Sequence, residues 1–168
     1  MNRRALLLGG LALAAAPSRA ARAQGGDLGY LIAIEQLQVD LYQRARELPL
    51  TGRAAALAGR FHNHETEHLA RVTDALNAKP PSVTLPKFSD EQGFLRVAQR
   101  IEGLAVGAYN GAIPTVHDRG LRAELAAIAQ TEGRHAAAIR DLRGKDPSPR
   151  SRDPGAPADR IERALAGL

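Results

Sequence analysis

Two short patterns carry most of the chemistry in this sequence. Glu65-x-x-His68 lies within Phe61-His62-Asn63-His64-Glu65-Thr66-Glu67-His68-Leu69, and Glu132-x-x-His135 follows at an offset of 67 residues. Residues three apart on an α-helix share a face, so each pattern sets a carboxylate beside an imidazole. The apolar neighbours say which face. Leu57, Phe61, Val72 and Leu76 run along the stripe of Glu65 and His68; Leu121, Leu125, Ile128, Ile139 and Leu142 run along that of Glu132 and His135. Such a stripe is the core-facing side of an amphipathic helix. A carboxylate buried in it costs several kcal/mol unless something pairs with it.

The rest of the chain supplies partners at the same spacing. An offset of 67 also joins Glu35 to Glu102, Ile34 to Ile101, Val39 to Val106 and Tyr42 to Tyr109. Two helix pairs therefore repeat, each with a single core-facing Glu and then a Glu-x-x-His. Four Glu and two His would converge between four helices. A Glu from each of two helices and Glu-x-x-His from the other two is the set that holds paired iron or manganese ions in carboxylate-rich bundles. The candidate metal residues are thus Glu35, Glu65, His68, Glu102, Glu132 and His135.

The totals fit one helical domain. The chain has 168 residues, 4% aromatics and no Trp, so its core must be built mainly from Ala, Leu, Ile and Val. With no Cys, disulfides and thiolate metal sites are excluded. The net charge of +5 is concentrated at the N-terminus. Residues 1–23 carry Arg3, Arg4, Arg19 and Arg22 and no acid, and without them the balance is +1. No electrostatic case for a nucleic-acid partner remains.

Residues 1–23 read as a cleavable export signal. Arg3-Arg4 precede an apolar run over 5–16, and Ala21-Arg22-Ala23 is an A-x-A cleavage site. The run is short for a bilayer span, so no membrane association is expected after cleavage; the alternative is a retained N-terminal anchor. Arg3-Arg4-Ala5-Leu6-Leu7 resembles a twin-arginine signal, a route that carries folded proteins. The mature chain would begin near Gln24 and be periplasmic or secreted.

The elements that must position the candidate residues follow in order. Asp27 can cap a first helix of roughly 28–48, closed by Pro49, and Thr51 a second, roughly 52–78. Residues 79–90 hold three prolines and read as a connection. Ser89-Asp90-Glu91-Gln92 is a capping box for a third helix, roughly 90–113. Asp118 can cap a fourth, roughly 119–143, with Gly144 as its stop. Short links make each pair antiparallel. The middle link of about twelve residues reaches ~40 Å when extended, and a helix of about 26 residues is ~39 Å long. The link can therefore cross the bundle lengthwise, relating the pairs by a pseudo-twofold axis. The expected organisation is a four-helix bundle over 24–144. A proline-rich, charged tail over 145–168 follows, with Ile161, Leu165 and Leu168 on one face of a short helix.

With these residues in view, the sequence from about 29 to 144 resembles the ferritin-like superfamily. It is most similar to the exported bacterial and fungal proteins called desiccation-related. The sharpest match is Glu102-Gly103-Leu104-Ala105-Val106-Gly107-Ala108-Tyr109-Asn110-Gly111-Ala112-Ile113-Pro114, with Glu132-Gly133-Arg134-His135-Ala136-Ala137 second. That branch commonly has two glutamates three apart in its first helix; here the second position is Gln38, a lost spare acid. The resemblance implies a single-crossover bundle with two divalent ions, iron first and manganese second. Glu35 and Glu102 would be terminal ligands, Glu65 and Glu132 would bridge, and His68 and His135 would complete one ion each. Four carboxylates would then neutralise two divalent ions. Paired ferrous ions can deliver two electrons to O₂ or peroxide, so the first functional reading is a ferroxidase or peroxidase-type oxidoreductase protecting against oxidative or desiccation stress. The rival reading is a non-catalytic stress or binding protein with a structural metal or none. Either could form a homo-oligomer.

Some residues admit other readings. His64-Glu65-x-x-His68 is a literal H-E-x-x-H, the zinc hydrolase motif, with Glu91 as a conceivable third ligand. No longer zinc-protease extension follows it, Thr131 stands at the repeat position of His64, and this reading leaves the other candidate ligands unexplained. His64 lies one turn before His68 and can reach the edge of the cluster. Tyr42 and Tyr109, seven residues past Glu35 and Glu102, are core residues with bonded hydroxyls, or partners of the site in electron transfer or in support of the ligands.

Overall fold

The computed structural model describes residues 28–168; the export-signal reading and the cap assigned to Asp27 fall outside them. The described residues form five helices and no strand: α1 (Gly29–Ala45), α2 (Gly52–Leu76), α3 (Glu91–Ala112), α4 (Arg119–Leu142) and α5 (Ala158–Ala166), with one 3-10 turn at Ile113–Thr115. No helix among them is long and apolar enough to cross a membrane.

The helix ends follow local chemistry, with two corrections. Asp118 caps α4, its Oδ1 accepting from the Leu121 amide at 2.7 Å, and Gly144 stops the helix in the left-handed region at φ 64°. At α3 the cap is Asp90, whose Oδ1 accepts from the Gly93 amide at 2.6 Å, and not a Ser89 capping box. Thr51 occupies the N-cap position of α2, but its hydroxyl makes no capping bond. Glu91 takes the available donors instead: the Thr51 amide and hydroxyl donate to its Oε2 at 3.1 and 3.4 Å.

That contact also fixes the topology. It sets the start of α3 beside the start of α2, so the connection from Asn77 must run the length of the bundle. Val83, Leu85 and Phe88 pack onto the core along the way. Arg53–Asp141 at 2.7 Å and Arg71–Glu124 at 3.2 Å pin opposite ends of α2 and α4, which are antiparallel. Tyr42 meets Phe61 and Phe94 edge-on, at centroid distances of 5.5 and 5.9 Å, while Glu35, earlier in α1, meets His68 and Tyr109, later in α2 and α3, so α1 is antiparallel to both.

The core is divided. One apolar cluster holds Leu31, Ile32, Ile34, Val72, Ala105, Tyr109, Leu125 and Ile128. The other holds Leu37, Leu41, Tyr42, Phe61, Phe94, Leu95, Ile101 and Ile139. The boundary between them falls at Glu35, Glu65, Glu102 and Glu132, all fully buried. A polar layer thus lies at mid-bundle between two apolar halves.

The segment read as a tail folds back onto α3. The Ala156 amide donates to the Gly107 carbonyl at 2.8 Å, and Asn110 Nδ2 donates to the Asp153 carbonyl at 3.1 Å. Ile161 of α5 is buried in the first cluster, and Leu165 and Leu168 pack on the core. Glycine makes the approach feasible: a Cβ on Gly111 would lie 2.0 Å from the Ala156 carbonyl oxygen. Gly111→Ala must therefore displace backbone. It is expected to cost ~1–3 kcal/mol, the range for overpacking, and to free the C-terminal segment. Urea unfolding and limited proteolysis would show both effects, while Gly103→Ala, which meets nothing within 4 Å, should not.

Candidate metal centre

Glu35 comes from α1, Glu65 and His68 from α2, Glu102 from α3, and Glu132 and His135 from α4. The apolar stripes that bury these helices carry all six inward: the carboxylates have no exposed surface, His68 is 7% exposed and His135 2%. They converge as two overlapping groups, Glu35–Glu65–His68–Glu132 and Glu65–Glu102–Glu132–His135. Within each group, one ligand atom from every residue lies within 4.8 Å of the others. Glu65 and Glu132 belong to both.

The contacts follow the pseudo-twofold axis. His68 Nδ1 stands 2.9 Å from Glu65 Oε2, 3.0 Å from Glu132 Oε1 and 3.7 Å from Glu35 Oε2. His135 Nδ1 stands 2.7 Å from Glu65 Oε1, 3.9 Å from Glu102 Oε2 and 4.0 Å from Glu132 Oε1. The tyrosines cross over: Tyr42 donates a short hydrogen bond to Glu102, and Tyr109 donates one to Glu35. Each supports the carboxylate of the other repeat, not the one on its own helix.

Two contacts break the symmetry, and sequence reasoning missed the first. Gln38 is fully buried, and its Nε2 donates to Glu132 Oε2 at 2.7 Å and Glu102 Oε2 at 3.2 Å. Reading Gln38 as a lost acid overlooked a gained donor; its place three residues past Glu35 on the buried face was the available signal. His64 is half-buried, and its Nδ1 lies 2.9 Å from His135 Nε2. The two imidazole rings are nearly parallel with centroids 5.2 Å apart, and Phe61 stacks on His135 at 3.8 Å. His64 joins neither ligand group, and Glu91 is held at Thr51, so the H-E-x-x-H assignment has no third ligand in place.

Electrostatics make the layer costly on its own. Burial, then the charges of Glu132 and Glu65, push Glu35 and Glu102 well above the usual carboxylate range. Burial and the charge of Glu65 raise Glu132. Burial would raise Glu65 too, but contact with His135 and His68 outweighs it and holds Glu65 below the ordinary value. Burial opposes charge on His68, yet contacts with Glu132 and Glu65 push it up to about 10. Among the described residues, five buried side-chain atoms make no aligned hydrogen bond: Glu35 Oε2, Glu65 Oε1, Glu132 Oε1, His135 Nδ1 and Gln38 Oε1. The first four are also closely spaced around the imidazoles. Lone pairs that converge without an aligned donor fit a cation, and this mix of oxygen and imidazole donors suits iron, manganese or zinc.

Antiparallel helix pairs, one lengthwise crossover and a carboxylate–imidazole layer at mid-bundle define a ferritin-like helical bundle with the makings of a metal site. The chain belongs to the ferritin-like domain family, whose sequence model matches residues 27–145. No protein of curated function matches it. The docked α5 lies beyond the matched span.

Proposed function

We propose that this chain is an exported dinuclear metal protein, of the desiccation-related kind, that uses paired redox ions to consume O₂ or peroxide. The observation that carries the reading is the set of four crowded ligand atoms, none in an aligned hydrogen bond, inside two groups that share Glu65 and Glu132. Glu35, Glu65, Glu132 and His68 would hold one ion, and Glu65, Glu102, Glu132 and His135 the other. Iron is the first choice and manganese the second. Bound as ferrous ions, such a pair would supply two electrons, becoming ferric, enough with two protons to reduce peroxide to two waters.

The protein's own groups do the rest. Tyr109 and Tyr42 each hold one oxygen of Glu35 and Glu102, which fixes how those carboxylates face inward. With an ion at Nδ1, His135 would carry its proton on Nε2, which lies 2.9 Å from His64 Nδ1 towards the half-exposed edge of the layer. The two apolar clusters keep bulk water from both sides.

Export rests on the Arg3-Arg4 signal and its A-x-A site, and stress protection on the resemblance to the desiccation-related branch. One preparation tests the reading. Protein recovered from outside the cytoplasm should begin near Gln24 and, after anaerobic loading, hold two Fe(II) per chain. It should consume peroxide faster than free Fe(II) in buffer. Protein without bound metal would sink the metal reading; oxidation no faster than in buffer would leave metal binding without redox function; an uncleaved cytoplasmic product would remove export.

A further inference from the structure

We infer that the two metal positions are unequal, and that Gln38 makes the one at His135 the weaker. This rests on the dinuclear reading above and adds an order of filling to it.

The argument compares oxygens related by the pseudo-twofold axis. Glu35 gives Oε1 to Tyr109 and leaves Oε2 free; Glu102 gives Oε1 to Tyr42, but its Oε2 also accepts from Gln38 at 3.2 Å. Glu65 spans the imidazoles, with Oε2 beside His68 at 2.9 Å and Oε1 beside His135 at 2.7 Å. Glu132 should span them likewise. Its Oε1 is free and 3.0 Å from His68 Nδ1, whereas its Oε2 is taken by Gln38 at 2.7 Å. The His68 position therefore has an unhindered set. At the His135 position Glu102 Oε2 accepts from Gln38, and the hold of Gln38 on Glu132 Oε2 leaves Glu132 Oε1 4.0 Å from His135 Nδ1 against 3.0 Å from His68 Nδ1.

A carboxylate oxygen that accepts a hydrogen bond gives less electron density to a cation, and a cation there must compete with the amide proton. Nothing offsets this at the other position, because the repeat mate of Gln38 is Ala105, which carries no donor. His64 does not reverse the order. Its bond to His135 Nε2 orients the ring with Nδ1 inward, which keeps the weaker position usable.

The test is anaerobic titration with Co(II), followed by visible absorption and calorimetry, which reads affinity without any turnover. The wild-type chain should bind two ions in separable steps. Glu102→Gln leaves the His68 position and should keep one tight site. Glu35→Gln leaves the His135 position and should keep one site weaker by about tenfold or more, the scale of outer contacts on a metal ligand. Comparing these single-site variants removes any effect of one ion on the other. Gln38→Leu, close in size and without donors, should tighten the second step of the two-site protein. Equal affinities in the two variants, or tighter binding by Glu35→Gln, would overturn the inference and leave the dinuclear reading intact. A wild-type chain that takes up no Co(II), Fe(II) or Mn(II) would overturn both.

Discussion

Glu65→Ala is expected to empty both metal positions at once, whereas His135→Ala empties one. Glu65 belongs to both candidate groups, and its two oxygens face the two imidazoles at 2.7 and 2.9 Å. Removing it strips a ligand from each ion and leaves three donors at either position. His135 belongs to one group only. Elemental analysis after anaerobic Fe(II) loading should fall from two ions per chain to near zero for Glu65→Ala, and to about one for His135→Ala. Glu65→Gln, which keeps the volume, guards against loss by misfolding and should behave like Glu65→Ala. Glu67 is the control: it is exposed and paired with Arg71 at 2.7 Å, so Glu67→Gln should keep both ions. One ion retained by Glu65→Ala would show that Glu65 does not bridge.

Heating metal-free and metal-loaded protein at several pH values should give stability profiles that diverge as pH rises. His68 is raised from 6.5 to about 10, so its contribution is complete below 6.5 and is lost as pH climbs through 10. Glu35 and Glu102 are raised as well, so the metal-free fold favours their protonated forms and loses stability as they ionise above the ordinary carboxylate range. The signs agree. Glu65 is lowered, but it acts only at acid pH, where its contribution is lost as pH falls, outside this window. At 1.36 kcal/mol per pKa unit, the His68 shift alone amounts to a few kcal/mol. Metal-free protein should thus lose on the order of 10 °C in Tm between about pH 6.5 and pH 10. Bound cations would balance the carboxylates without those protons, so loaded protein should stay flat over the same range. Parallel curves would mean that the ions do not bind at this layer.

Much of this arrangement was legible because a helix hides little of its pattern. The 67-residue offset survives in Glu35 and Glu102, in Tyr42 and Tyr109 and in both Glu-x-x-His pairs, and the apolar stripes state which face is buried. Contacts between helices were less accessible. Sequence spacing sets Tyr42 on the face of Glu35, yet antiparallel packing carries its hydroxyl to Glu102. Gln38 was weighed as a charge when its role is that of a donor, and a donor is recognised only with its acceptors in place. The C-terminal segment shows one short apolar face, Ile161, Leu165 and Leu168, but nothing in it names the surface that receives it. Its seat is made by absent side chains, at Gly111 and Gly155, where two backbones touch.

The sharing of Glu65 and Glu132 has a consequence for the order of events in the life of the chain. The hairpin of α1 and α2 owns Glu35, Glu65 and His68, and that of α3 and α4 owns Glu102, Glu132 and His135. Each four-residue group borrows one carboxylate from the opposite hairpin. Neither hairpin can therefore chelate an ion fully before the two have docked, and ion uptake becomes a readout of completed tertiary assembly. By mass action, bound ions would in turn clamp the hairpins together. A chain nicked in the exposed stretch 79–82 would then stay whole as a noncovalent complex, held most firmly when loaded.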